Sequence, residues 1–435
     1  MASAATQVCV IGMWHLGSVT AACLAHLGYQ VIGVDKDSQR VADLDQGKPP
    51  LFEPGLPELI AEGLSSGRLR FTTELGQAIN GSQYVLICFD TRVDEQDEPD
   101  LSEILDTCAE IARYLEEGAT VIVSSQVPVG TCERIKSIIQ QGNSSRGFHI
   151  ACCPENLRLG QAIERFLHPD RIVIGADSPR ALDKAASLFQ VISAPQLRMN
   201  LKTAEMVKHA LNAFMATSIS FINELANLCD RVGADAVAVA QALASDERIG
   251  PKLPLKPGLG FAGGTLARDL KALQAAAARA GCNTYLIDAV LRINQEQIGI
   301  VARKLEEVYG SLAGLTVGFL GLTYKPGTST LRRSAALQII GDIVSKGARV
   351  KAYDPKASPE EVEQYRGFEF HGNPYSVAQD SHALVLTTAW PEFMELDYDA
   401  IKGAMKTPIL IDAINILDKE KMLGKGFRYL GVGRG

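Results

Sequence analysis

The sequence predicts an α/β protein with two doubly wound, parallel-sheet domains, joined by a long central helix and an all-helical middle region. Three observations predict it. A strand, a glycine turn, a helix, a second strand and an acid follow one another within about 30 residues near the start. The same succession returns after residue 315. Between them, no Gly or Pro occurs from Leu201 to Val232, and Gly233 follows. That is the punctuation of one long helix with a glycine just past its end. The expected domains are residues 1–198, 199–312 and 313–435.

The first unit opens on a strand at residues 7–11. Gly12-Met-Trp-His-Leu-Gly17 comes next, then a helix over 18–27 and a strand over 31–34 capped by Asp35. This resembles the Rossmann dinucleotide-binding unit: the turn brings a pyrophosphate to the amides and positive dipole of a helix N-terminus. Asp35 is placed to accept from both ribose hydroxyls and to repel a 2′-phosphate, which predicts NAD rather than NADP. Lys36 and Arg40 stand close enough to soften that preference. The cofactor-binding set is therefore Gly12, Trp14, His15, Leu16, Gly17, Asp35 and Arg40. Trp14 is a departure, because the middle position of the turn usually holds a glycine, so that backbone and pyrophosphate approach closely.

Strand–helix pairs over 84–88 with 101–114, and 120–124 with 132–140, continue the alternation. Strands over 149–152 and 171–174 follow, giving a doubly wound parallel sheet. Loops at the C-terminal strand ends then hold ligand. These are 89–92 with Thr91, 124–130 with Gln126, and 153–156 with Glu155.

A helix over 200–230 would run about 45 Å. Val207, Leu211, Phe214, Ile222 and Leu225 recur at helical spacing and form its core side. Glu205, Lys208, Asn212 and Asn223 share another stripe. That stripe is either a solvated face or a lysine and an amide, one turn apart, presented to a cleft. A short helix over 235–244 precedes residues 245–264, which carry three prolines and five glycines. Twenty residues of turn chemistry mark a functional loop. It delivers Thr265, Arg268 and Asp269 to the mouth of a helix ended by Gly281, and a further helix is expected over 285–309. Strands over 316–320 and 349–353, the latter ending in Asp354, begin the second α/β domain. Strands over 383–387 and 408–411 complete it. Its loop Tyr324-Lys-Pro-Gly-Thr-Ser-Thr-Leu-Arg-Arg333 offers Lys325, Arg332 and Arg333 beside backbone amides, which suits a diphosphate or is a solvated basic loop.

Composition bounds the rest. With 435 residues, 46% hydrophobic and 21% charged, the chain is expected to be soluble and multidomain. A net charge of −7 argues against nucleic acid or an anionic membrane as partner. No apolar run reaches the length of a membrane span. The opening residues lack the basic region and apolar core of a cleavable leader. Nine irregularly spaced cysteines without a C-x-x-C pair predict reduced thiols, a cytoplasmic location and no metal site.

Several stretches resemble the UDP-glucose/GDP-mannose dehydrogenase family. They include Glu53-Pro-Gly-Leu-Pro-Glu58, Val127-Pro-Val-Gly-Thr131, Asn212-Ala-Phe-Met-Ala-Thr217, Arg248-Ile-Gly250 and Gly321-Leu-Thr-Tyr-Lys-Pro-Gly-Thr328. The resemblance spans nearly everything from Val8 to Arg434. It implies NAD-dependent oxidation of a nucleotide sugar at its C6 alcohol, through an aldehyde held by a cysteine as a thiohemiacetal, to a carboxylate. It implies Lys208 and Asn212 as oxyanion stabilisers, Asp269 as an acid/base acting through water, and Glu155 near the reacting carbon. Substrate contacts are implied for Glu155, Lys208, Asn212, Arg248, Phe261, Gly263, Lys325 and Arg332, and cofactor contacts for Thr91, Gln126 and Glu155. It also implies a homodimer or larger homo-oligomer, with Arg248 reaching the neighbouring subunit's substrate.

The nucleophile departs from the pattern. In Gly260-Phe-Ala-Gly-Gly-Thr265-Leu-Ala-Arg-Asp269 the family's cysteine position is Thr265, a far poorer nucleophile unless a base takes its proton. Gln126 stands for a threonine and Ile414 for an arginine. Three readings follow: a dehydrogenase whose second oxidation is impaired, an enzyme oxidising another position or sugar, and a non-catalytic nucleotide-sugar-binding homologue. A 3-hydroxyacid dehydrogenase would share the first domain and the Lys–Asn helix but would not need the second α/β domain. Cys153, next to Glu155, is either a displaced nucleophile or a small buried thiol.

Overall fold

The computed structural model describes residues 6–93, 99–143, 145–155, 157–262 and 264–435. Gly263, expected to contact substrate, lies outside these residues. The chain divides into two compact units, Met1–Leu211 and Asn212–Gly435.

In the first unit, β1 (Gln7–Ile11), β2 (Gln30–Val34), β3 (Leu69–Thr72) and β4 (Tyr84–Ile87) precede a two-stranded ribbon. The ribbon pairs β5 (Arg92–Val93) with β6 (Pro99–Asp100). Then come β7 (Thr120–Val123), β8 (His149–Cys152), β9 (Ile172–Ala176) and β10 (Gln196–Asn200). The main sheet runs β10-β9-β8-β7-β4-β1-β2-β3. Order reverses at β1, so the carboxyl ends of β1 and β4 open the crevice where such sheets bind ligand. Strands β1, β4 and β7 read as unbroken apolar runs because both faces are covered. One junction departs from the expected parallel sheet: β8 and β9 pair antiparallel, with Ala151 opposite Ala176. The 19 residues between them, with one short helix at Ala162–Leu167, do not make the usual crossover.

In the second unit, β11 (Thr316–Leu320), β12 (Arg349–Tyr353), β13 (Glu369–Phe370), β14 (Ala383–Leu386), β15 (Ile409–Asp412) and β16 (Arg428–Gly431) form a fully parallel sheet. Its order is β13-β12-β11-β14-β15-β16. Helices Ala236–Ser245, Thr265–Ala280, Tyr285–Ile298 and Ile300–Tyr309 precede it. The single helix expected over 285–309 is two, interrupted at Gly299.

The Leu201–Val232 helix runs 32 residues, and Gly233 ends it at φ 75°. Its expected core side is only partly right. Ile222 is fully buried and Leu225 is partly buried, but Phe214 is 57% exposed. Phe221 (47%) and Leu228 (56%) are exposed at intervals of seven from it, a second apolar stripe along the same helix.

The polar stripe is no solvated face. Buried Glu205 accepts from Gly130 N at 2.6 Å and Cys132 N at 2.7 Å, capping the Thr131–Gly142 helix. A carboxylate there meets unsatisfied amides and the positive dipole end. Buried Asn223 accepts from Gly258 N at 2.8 Å and pins the proline–glycine loop. Two of the four stripe residues therefore hold backbone in place rather than face a cleft.

Candidate active site

The turn after β1 is built for close approach. Gly12 sits at φ 92°, and its N–H donates to Val34 O at 2.9 Å. A Cβ on Gly17 would fall 1.7 Å from Gly12 O, so only glycine lets the His15–His26 helix start there. That helix starts three residues earlier than the sequence suggested, directly from the turn. Trp14 has φ −78°, which any residue adopts, so the backbone tolerates it. Its indole is 43% exposed and lies 5.2 Å from the Arg40 guanidinium.

Asp35, at the end of β2, accepts from Met13 N at 2.7 Å, Asp37 N at 3.0 Å and Arg40 Nη1 at 2.8 Å. These residues fit a dinucleotide: a helix N-terminus at a glycine turn, with a carboxylate and an arginine at the ribose position. Leu16 N donates to Asp90 Oδ2 at 3.2 Å, so a carboxylate also meets that helix end. His15 contacts Glu53 at 3.0 Å, and buried Glu53 accepts from Gly160 N at 2.9 Å and Ala162 N at 2.8 Å. Thr91 Oγ1 donates to Gln126 O at 2.6 Å, joining the two loops that follow β4 and β7. Sequence reasoning did not single out Glu53 or Asp90; the Glu-Pro-Gly turn at 53–55 was the available signal for the first, and the 89–92 strand-end loop for the second.

Lys208, buried on the central helix, donates to Glu155 O at 2.8 Å and Glu155 Oε1 at 3.4 Å. The other oxygen of Glu155 accepts from Leu157 N. The lysine thus keeps its charge matched and still has one of three N–H groups to offer. In the second unit, Asn212 Nδ2 donates to Asp269 Oδ2, and Asp269 is fully buried. Arg268 Nε stands 3.8 Å from the other oxygen of Asp269. Thr265, four residues earlier on the same helix, shares its face one turn away, and is exposed. Lys208 and Asn212 are themselves one turn apart on the central helix, so the structure pairs each of the four residues as donor and acceptor.

Phe261 is fixed by Asn294, which accepts from its N–H at 2.8 Å and donates to its carbonyl at 3.0 Å. Arg248 projects into solvent and pairs with Asp246 at 2.7 Å. Lys325 and Ile414 line one cavity of about 250 Å³, with Lys256, Gly260, Ala262 and Ser334. Arg332 is exposed and outside that lining. Cys153 lines an apolar cavity with Leu16, Ser124 and Phe166, and burial pushes its thiol well above the usual range. That is the opposite of what a nucleophile needs.

Signatures of the UDP-glucose/GDP-mannose dehydrogenase family match along the chain: the NAD binding domain over residues 6–193, the central domain over 202–296 and the UDP binding domain over 318–419. The chain belongs to the UDP-glucose/GDP-mannose dehydrogenase family. It is accordingly an NAD-dependent oxidoreductase acting on a CH–OH group. It is 38% identical to UDP-glucose 6-dehydrogenase TuaD of Bacillus subtilis over 433 residues, covering 98% of this chain and 93% of that one. It is 37% identical to UDP-glucose 6-dehydrogenase of Rhizobium meliloti, covering 98% and 99%. A UDP-glucose dehydrogenase structure from Pyrobaculum islandicum superposes with a TM-score of 0.89 at 31% identity, covering 100% of this chain and 99% of that one. Among the described residues no helix is long and apolar enough to cross a membrane.

Proposed function

We propose that this family member oxidises the C6 alcohol of a nucleotide-activated sugar of the UDP-glucose type to the aldehyde, and that its second oxidation is slow or absent. The observation that carries the reading is the pairing of Lys208 with Glu155 and of Asn212 with Asp269. Bound NAD supplies the hydride acceptor. Each of the two donors has spent part of its hydrogen-bonding capacity on a carboxylate or carbonyl, which fixes its direction. Each keeps an N–H for the oxygen that gains negative charge as the C–H bond breaks. The hydroxyl proton goes by way of water to Asp269.

Thr265 is the reason for stopping there. A cysteine thiolate would hold the aldehyde covalently, so the second hydride would leave from an adduct that cannot diffuse away. A threonine hydroxyl must first lose a proton, and hydration of the aldehyde by water leaves no anchor. Cys153 is no substitute, given its raised thiol.

The Lys325 cavity is read as the nucleotide site and the exposed Phe214–Phe221–Leu228 stripe as a two-fold dimer contact. In the dimer Arg248 would reach the neighbouring subunit's substrate. NADH formation measured over a panel of UDP-, GDP- and dTDP-sugars tests the reading. A UDP-hexose with a free C6 alcohol should give NADH and a carbonyl product trapped by hydroxylamine. No NADH from any sugar would overturn it in favour of a binding homologue.

A further inference from the structure

A dinucleotide sets its pyrophosphate on the first amides of the helix that follows the glycine turn. In the His15–His26 helix, Ser18 N donates to Trp14 O at 3.0 Å and begins the internal ladder. The amides of residues 15–17 precede it and have no acceptor within the helix. One of these three already meets an anion of the protein's own, because Leu16 N donates to Asp90 Oδ2 at 3.2 Å.

The sheet delivers Asp90 to that amide. Cys88 N donates to Ile11 O at 2.8 Å, which fixes the end of β4 beside the end of β1. Phe89 comes next, and a Cβ on Gly12 would fall 2.9 Å from its ring, so the ring packs on the glycine turn. On the other side, Thr91 is tied to Gln126 O at 2.6 Å. With both neighbours anchored, Asp90 leaves Leu16 N by rotating its side chain rather than by moving the loop. It also lines a cavity of about 300 Å³ with Asp100, Glu103, Asp106 and the cation Lys36. The other carboxylates press Asp90 out of that cavity, while the helix amides and dipole draw it toward the turn.

We propose that Asp90 sets the affinity of the NAD site as a built-in competitor, which the cofactor's pyrophosphate displaces from the Leu16 amide. Two anions on one helix turn repel, so the carboxylate rotates away as the pyrophosphate arrives. Lys36, on the wall of the same cavity, is the cation that receives it. Cofactor binding therefore breaks one charge-assisted hydrogen bond, and Asp90 weakens the hold on NAD instead of adding to it. On the way out, the returning carboxylate helps NADH to leave.

Isothermal titration of the full-length protein with NAD, ADP-ribose and adenosine tests this. Asp90→Asn loses the charge but keeps an oxygen for Leu16 N, so its thermal midpoint should stay near that of the wild type. It should bind NAD and ADP-ribose about tenfold more tightly, because a neutral hydrogen bond replaces a charge-assisted one as the bond to be broken. Asp90→Ala, with no acceptor left, should gain at least as much; if it does not fold, Asp90→Asn decides alone. Adenosine carries no phosphate and should bind neither variant more tightly than the wild type. Unchanged or weaker NAD binding in Asp90→Asn would make Asp90 a cap that stays on the helix, and overturns the proposal. An equal gain for adenosine overturns it too, since the pyrophosphate would not be the competing group.

Discussion

The two α/β sheets use one device in two ways. Each begins with a strand ending at a left-handed glycine, Gly12 or Gly321, whose N–H donates to the last residue of the second strand. Each second strand is followed by an aspartate, and each aspartate takes the first N–H after its glycine, from Met13 or Leu322, at 2.7 Å. Beyond that they diverge. Asp35 is finished by Arg40, whose side chain is partly exposed and lies against an exposed tryptophan. Asp354 is finished by Thr323 Oγ1 at 2.9 Å and the indole of buried Trp390 at 3.1 Å, with Lys356 N and Ala357 N on its other oxygen. One acid, itself buried, is completed by a side chain that is partly exposed. The other is closed by the protein itself. The same strand–glycine–acid succession is read as a ribose site in the first unit and forms an internal brace in the second.

The largest test of this contrast is on stability. Asp354→Ala removes the acceptor of four backbone amides, those of Leu322, Thr323, Lys356 and Ala357, at about 1–3 kcal/mol for each group that finds no water. It should cost about 4 kcal/mol or more in denaturant unfolding followed by Trp390 fluorescence. Asp35→Ala, which removes the acceptor of only two backbone amides, should cost about 1–2 kcal/mol. Equal losses at the two positions would erase the distinction.

Next in size is catalysis at the central helix. Lys208→Ala should lower kcat by about a hundredfold or more, the range for losing one oxyanion donor, while leaving the Kd of UDP unchanged. A rise in KM with kcat intact would make Lys208 a binding group only.

Smaller again is cofactor choice. Asp35→Ala should lower the NAD/NADP ratio of kcat/KM about tenfold, a differential of ~1.4 kcal/mol. The matching change at Asp354 should leave that ratio unmoved in whatever fraction stays folded. A wild type equally efficient with both cofactors would contradict the ribose role of Asp35.

The contrast also explains what was legible beforehand. Both glycine turns, both aspartates and the 32-residue helix are encoded by local spacing, and the sequence displays them directly. Spacing and loop position singled out Lys208, Asn212, Asp269 and Glu155, but their roles came only from family resemblance and their partners only in three dimensions. Phe214 was misplaced because it repeats every seven residues with Phe221 and Leu228, a period close enough to helical spacing to pass for core. The antiparallel β8–β9 pairing left no mark, since a short strand reads the same in either direction.

The measurement that bears most directly on the central claim is the number of NADH formed per sugar consumed, run to completion with the wild type and with Thr265→Cys. The wild type should approach one NADH per sugar, with the aldehyde captured by hydroxylamine. Thr265→Cys should raise carboxylate formation by about tenfold or more, each factor of ten being ~1.4 kcal/mol of barrier. Two NADH per sugar from the wild type, with no aldehyde to trap and no gain from the cysteine, would show that Thr265 does not limit the reaction.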